Sequence, residues 1–378
     1  MAINLRSPYY TSTIISNTAY TTLDISIWSG SVTSPVTAQY NLRKSVVGTS
    51  TQVLFEISEL IRDYLDITFD GNYNGQAVWV KTVRTAYDSS NTSLVSVPHT
   101  QIAFDGYWYF EEVQIALPSL FITNRELFVL EDNVFRIPIY TNANPTVTFF
   151  KDGEVVASET FSSSSESSTQ IKYVSIYGDS VNWDTYQERI LNENGSYEDS
   201  SCLQSFFNSY SIGAVDKITV LDENDVIQTI KVNVIEECKY EPKKVTFINK
   251  FGALQDMYFF KKAVEKMTIE KESYKSNIIG AYGGQYSISS HVNRDFNVVG
   301  KESITLSSGY LSEEYNEVFK QLMLSEKVWV TNILETGEQV LPINVKTSDI
   351  TYKTSLNNKL VEYTIEFDKS FDTINNIR

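Results

Sequence analysis

Apolar and polar positions alternate with period two along much of the chain. Leu23, Ile25 and Ile27 alternate with Asp24, Ser26 and Trp28, which predicts a strand with one buried face, because successive side chains leave a strand on opposite sides. Ala77 to Arg84 repeats the pattern with Val78, Val80 and Val83 inward. Between these stretches VLFEISELIRDYLD changes period. Phe55 and Ile57 belong to a strand, Ser58 is placed to cap a helix, and Leu60, Ile61, Tyr64 and Leu65 share one helical face. A short helix near 58–66 is the expectation. GYWYFEEVQIAL then reads as an aromatic strand, with Tyr107 and Tyr109 on one face and Trp108 on the other.

The pattern resets near Pro118 to Arg125. Leu127, Val129, Phe135, Ile137 and Ile139 mark two short strands, and TVTFFKDGEVVASET predicts a hairpin turning at Lys151-Asp152-Gly153, where glycine supplies a positive φ. The polar run Ser162 to Ser168 predicts a mobile surface loop. A strand at Ile171 to Ile176, a small helix at Asp184 to Leu191, and a second hairpin around Asp222 to Asp225 follow. This set looks like an immunoglobulin-type or fibronectin-type sandwich.

Glu241-Pro242 is the best linker, since proline restricts its predecessor and interrupts helices and central strands. Beyond it, KKVTFINKFGALQDMYFFKK predicts two β-arms around Phe251-Gly252. Their aromatics are expected to be core on one face and to meet a neighbouring subunit on the other. Gly280 to Gly284 and Ser287 to Ser290 form a small-residue region. A helix near 312–325 follows, with Ser312 as N-cap, Tyr315 as third helical residue, and Val318, Phe319, Leu322 and Met323 as its apolar stripe. The last hairpin pairs PINVKTSDITYK with LVEYTIEFD, where Tyr363, Ile365 and Phe367 face inward. The expected fold is mainly β and multidomain: a sandwich-like domain over 1–120, a second over 121–241, and a β-barrel or folded sheet with one helix over 242–378.

Composition supports that class. The chain has 378 residues, 42% hydrophobic and 21% charged, with 24 Tyr and 20 Phe, enough apolar material for several cores. The net charge of −16 opposes non-specific binding to nucleic acid or anionic lipid. Residues 1 to 240 hold 14 Lys+Arg against 29 Asp+Glu, so the last third is nearly neutral. Cys202 and Cys238 are too few for a disulfide framework, and are read as unpaired thiols. The start MAINLRSPYY has no basic segment followed by an apolar one, and no run approaches the ~20 apolar residues of a bilayer span. Synthesis and folding in a cytoplasm are the expectation.

Candidate chemistry is sparse. His99 and His291 lie in different regions without a Cys or carboxylate at ligand spacing, and GxSxG, GxxxxGK[ST] and GxGxxG patterns are missing from the sequence. No cofactor or metal is expected. The carboxylate pairs Glu111/Glu112 and Asp184/Glu188 are the candidates for glycoside hydrolysis, and Tyr107, Trp108 and Tyr109 could stack on sugar rings beside Glu111. Ordinary solvation of an edge weighs more for the glutamates, and a solvated tip is the default for the acidic loop at Asp222 to Asp225.

INLRSPYY, VLFEISELIRDYLD, KVTFINKFGALQDMYFFKK, LSEKVWVTNI, LPINVKTSDITYK and LVEYTIEFDKSFDTINNIR together resemble virion tail proteins of crAss-like and related phages infecting Bacteroidetes. The resemblance implies a C-terminal domain similar to tail-hub domains, with sandwich domains attached to it. The implied role is non-enzymatic: a subunit of a tail hub or of a neck or tail ring in a short-tailed virion, made in the host cytoplasm. Its partners would be copies of itself and neighbouring tail proteins. Neither membrane nor specific nucleic-acid binding is expected, although the acidic part could lie near the DNA passage. Candidate interface or glycan contacts are Tyr107, Trp108, Tyr109, Phe251, Tyr258 and Phe260. A glycan-binding or host-adhesion protein is the alternative, and a glycoside hydrolase the third reading.

Overall fold

The computed structural model describes residues 2–30, 32–33, 37–47, 52–73, 77–112, 116–131, 133–161, 171–177, 215–222, 224, 226–277, 288–334, 337–352 and 360–374. The fold is mainly β, with several sheets and two helices among these residues.

The first sheet comes from the first hundred residues. Its strands are β1 (Ile3–Asn4), β3 (Tyr20–Trp28), β4 (Tyr40–Ser45), β6 (Val78–Tyr87) and β7 (Ser93–Phe104), ordered β1-β7-β6-β3-β4. A ribbon of β2 (Tyr10–Ile14) and β5 (Gln52–Glu56) and the helix α1 (Ser58–Arg62) complete this region. Leu23, Ile25, Ile27, Val78 and Val80 are buried against Val53, Phe55 and Ile61, as their alternation predicts. Val83 is only half-buried, and Thr82 takes the buried position beside it. The helix is shorter than 58–66. Ile57 holds the N-cap position, and the Ser58 hydroxyl bonds Glu56 instead of capping. Three-residue bonds from Tyr64 N–H to Ile61 and from Leu65 N–H to Arg62 end the helix.

The second sheet has the order β11-β10-β13-β14-β8. Its strands are β8 (Glu126–Leu130), β10 (Thr146–Lys151), β11 (Glu154–Thr160), β13 (Lys217–Leu221) and β14 (Ile227–Ile235). A ribbon of β9 (Val134–Tyr140) and β12 (Ile171–Tyr177) lies beside it. The β10–β11 turn has Asp152 at φ 52° and Gly153 at φ 85°. Two successive positive φ values give the turn twist that suits a two-residue hairpin. Asp222 closes the β13–β14 turn, its Oδ1 accepting from Asn224 N–H at 2.9 Å and Val226 N–H at 3.1 Å. The expected serine-rich loop, the helix at 184–191 and Cys202 fall outside the described residues.

The third sheet has seven strands, ordered β16-β15-β20-β21-β23-β18-β17. They are β15 (Lys243–Ile248), β16 (Leu254–Phe259), β17 (Val264–Lys275), β18 (Asn293–Ser307), β20 (Val328–Leu334), β21 (Gly337–Val345) and β23 (Thr364–Lys369). The sheet is open, so it is a folded sheet and not a closed barrel. Short strands β19 (Leu311–Ser312) and β22 (Leu360–Val361) pair beside it. The helix α2 (Tyr315–Leu324) buries Val318, Phe319 and Leu322. Tyr315 is its first residue and not its third, with Glu314 at the N-cap, because Ser312 is engaged in the β19–β22 pair. The expected glycine-rich stretch at 280–284 falls outside the described residues.

Each sheet is built from one stretch of chain, but the cores are shared between stretches. One apolar cluster joins Phe135, Ile137 and Val220 to Val245, Phe259 and Phe367. Another joins Phe104 and Tyr73 to Phe121, Tyr140, Phe251, Leu254 and Trp329, drawing on all three stretches.

Candidate functional site

The hairpin β15–β16 sits where the three stretches meet. Asn249, fully buried, builds its turn: Oδ1 accepts from Phe251 N–H at 3.0 Å and Ala253 N–H at 3.2 Å. Its Nδ2 donates to the Phe121 carbonyl at 2.6 Å and to Gln255 at 3.0 Å. Gly252 completes the turn at φ 81°. Its backbone lies directly on Asp105 and Gly106: a Cβ on Gly252 would fall 2.8 Å from the Asp105 nitrogen, and one on Gly106 would fall 2.8 Å from the Lys250 carbonyl oxygen. Tyr107 N–H donates to that same carbonyl at 2.8 Å.

Residues 105–112 therefore form a docked loop and not the expected aromatic strand. Their backbone bonds go to the β15–β16 turn and to Ser7, whose Oγ accepts from Trp108 N–H at 2.8 Å. Tyr107 is buried beneath the Arg6 guanidinium, 4.9 Å from its ring, and burial pushes its pKa up to about 12. Tyr109 donates from its hydroxyl to Glu317 on α2 at 2.8 Å, and Lys320 stands 3.4 Å above its ring. Burial and the hydrogen bond to Glu317 hold the Tyr109 phenol well above its ordinary pKa. Trp108 is half-buried, and Phe110 is fully exposed.

The glutamates of this loop have distinct fates. Glu111 is exposed. Glu112 accepts from Tyr109 N–H at 3.0 Å and from Lys250 Nζ at 2.7 Å. Burial works against its charge, but the Lys250 ammonium and the Tyr109 N–H outweigh it and hold the pKa below the usual glutamate value. Glu112 is thus a tether between loop and hairpin. Beside α2, Lys320, Met323, Leu324, Val345 and Tyr352 line an open groove of about 480 Å³.

Phe251, Tyr258 and Phe260 are buried in the chain's own cores, and the expectation that they present a subunit contact is corrected. Every residue of β16 is buried, as are all of β15 after Lys243. The hairpin therefore has no open face. Its polar residues are satisfied across the stretches. Asp256 accepts from Tyr73 at 2.5 Å, from Thr246 at 2.8 Å and from Arg136 N–H at 3.2 Å. Burial, then the charge of Asp256, keeps the Tyr73 phenol neutral. A second knot ties α1 to the turn after α2: Arg62 bonds Asp105 at 3.0 Å and Glu326 at 2.5 Å.

His99 lies on β7 opposite Thr82, and His291 lies before β18. Asp184 and Glu188 fall outside the described residues, as do Glu223 and Asp225. Among the described residues, no group of three His, Cys, Asp or Glu side chains is arranged to hold a metal. The outlying feature that sequence reasoning missed is the β17–β18 hairpin. All twelve residues of β17 are exposed, including Val264, Met267, Ile269 and Tyr274, and Phe296 of β18 is exposed beside them. Its signal was present in VEKMTIEKESYK, where charged and apolar residues mix without a consistent inward face. No protein-family model matches the chain, nor does any curated protein or solved structure.

Proposed function

We propose that the chain is a structural, non-enzymatic subunit of a bacteriophage tail, in the hub or in a neck or tail ring, that acts by binding copies of itself and neighbouring tail proteins. The observation that carries this reading is the β17–β18 arm. A strand of twelve residues reaches about 40 Å at roughly 3.3 Å per residue, and this one carries large apolar side chains into solvent along its length. We read Val264, Met267, Ile269 and Tyr274, with Phe296 beside them, as apolar surface that a partner covers. The body behind it is cemented by cores and buried polar bonds shared between all three stretches, which suits a part that bears load in an assembly.

The test is mass spectrometry of purified virions, joined to negative-stain microscopy of the isolated protein. The expected result is a stoichiometric virion component that forms rings. Its absence from purified virions overturns the proposal.

A second reading, glycan or host adhesion, is favoured by the fully exposed Phe110 beside half-buried Trp108, close to the groove that shares Lys320 with Tyr109. Under that reading Trp108→Ala abolishes binding to host capsule without unfolding the chain.

A further inference from the structure

The two edges of the seven-stranded sheet are unlike. The β16 edge is covered by the middle stretch, where Arg136 N–H reaches Asp256 and Tyr258 donates to the Val134 carbonyl at 2.7 Å. The β17 edge is bare: the sheet ends there, and among the described residues no strand pairs with its outer side. A bare edge of this length offers a row of backbone donors and acceptors to any extended chain.

The sequence of that edge selects a partner. Residues 265–271 read Glu-Lys-Met-Thr-Ile-Glu-Lys. Laid antiparallel against a copy of itself about a two-fold axis at Thr268, the segment sets Glu265 opposite Lys271, Lys266 opposite Glu270 and Met267 opposite Ile269. Directly opposed residues share a face. One face of the joined ribbon then carries a central Met–Ile stripe flanked by ion pairs, and the other carries Thr268 against its copy between Lys266–Glu270 pairs. A slip of one residue in one direction sets Glu265 against Glu272 and Lys266 against Lys271. In the other direction it sets Glu265 against Glu270. Charges that merely protect an edge repel a copy of it; these attract one about Thr268 and repel it one residue to either side.

We propose that β17 pairs antiparallel with β17 of a second copy of this chain, about a two-fold axis at Thr268, to make one continuous sheet across two subunits. This deepens the assembly reading by naming the occupant of the arm's edge. The contact is isologous, so it closes on itself and joins subunits in pairs, or ring to ring, leaving any ring-forming surface elsewhere. The present partners of these charges yield readily: Lys271 with Asp295 and Lys301 with Glu270 are exposed pairs, which contribute little.

Cysteine placement tests the register. In a chain with Cys202→Ser and Cys238→Ser, Thr268→Cys brings two thiols together at the axis, within the Cα separation a disulfide spans. Mild oxidation is expected to yield at least ten times more linked dimer from Thr268→Cys than from Glu272→Cys, which lies on the same exposed strand away from the axis. Charge exchange gives a second readout by sedimentation equilibrium. K266E and E270K each reduce the dimer fraction at a given concentration, and the K266E/E270K double variant restores it. Equal cross-linking at both cysteine positions, or a double variant no better than the singles, overturns the pairing. In that event detection of the chain in virions still supports the assembly reading, so the two stand or fall separately.

Discussion

Tyr73 donates its phenolic hydrogen to Asp256, 2.5 Å away and 183 residues later in the chain, inside a fully buried pocket. Asp256 collects two more hydrogen bonds there, so the carboxylate is the point at which the amino-terminal, middle and carboxy-terminal stretches are bonded to one another.

Replacing that acceptor is expected to loosen all three together. Asp256→Asn sets an amide N–H₂ against groups that already donate, and an unsatisfied buried polar group costs about 1–3 kcal/mol. Tyr73→Phe removes one donor and is the milder change. Urea unfolding followed by both fluorescence and far-UV circular dichroism should show one earlier transition, with the two probes still coincident. Separate transitions would show that the three stretches unfold independently.

The backbone contact between Gly252 and residues 105–106 leaves no room for a methyl group. Gly252→Ala adds a Cβ at 2.8 Å from a main-chain nitrogen and at positive φ, and Gly106→Ala meets the Lys250 carbonyl from the other side. Neither obstacle is a flexible side-chain end. Each substitution is expected to destabilise by about 2 kcal/mol or more, with Trp108 fluorescence reporting release of the loop. Gly153→Ala is the control: it shares the positive φ but meets nothing within 4 Å, so it is expected to cost less.

Acid should release the same loop. The folded pKa of Glu112 lies below the ordinary glutamate value of 4.5, so its contribution is complete above that value and is lost as pH falls through the folded pKa. Glu112→Gln removes this dependence. Between neutral pH and acid below 4.5, the urea midpoint of the wild type is expected to fall further than that of the variant. Parallel curves would show that Glu112 does not hold the loop.

Phe110 touches the fold least of the loop residues, so Phe110→Ser should leave stability within about 0.5 kcal/mol of the wild type. Tyr109→Phe loses the bond to Glu317 and is expected to cost about 1 kcal/mol. Thermal melts of the two variants measured together separate the loop's exposed tip from its anchor.

The one-sided strands were legible because their chemistry is local. Leu23, Ile25 and Ile27, or Tyr363, Ile365 and Phe367, alternate with polar neighbours and are buried as that alternation requires. Residues 105–112 were misread for the opposite reason. Their aromatic content fits a strand, but their conformation is set by a glycine-to-glycine approach to a hairpin far along the chain, which no local window contains. The open face expected on β15–β16 failed similarly. Gln255 and Asp256 are polar, yet both are buried and bonded to residues of other stretches, Gln255 to Asn124 and Asp256 to Tyr73. The near-continuous apolar run around them was the better guide, because a strand covered on both sides has little reason to alternate.

The shared central core has a consequence for synthesis. A ribosome delivers Phe104, Phe121 and Tyr140 well before Phe251, Leu254 and Trp329, the side chains that cover them. Until the segment from Lys243 onward has emerged, the nascent chain holds an uncovered aromatic surface and a tyrosine whose aspartate has not yet been made. A product halted before that point keeps this surface uncovered, and exposed apolar surface of that kind promotes aggregation. The central core is therefore completed only when the last third of the chain has been made.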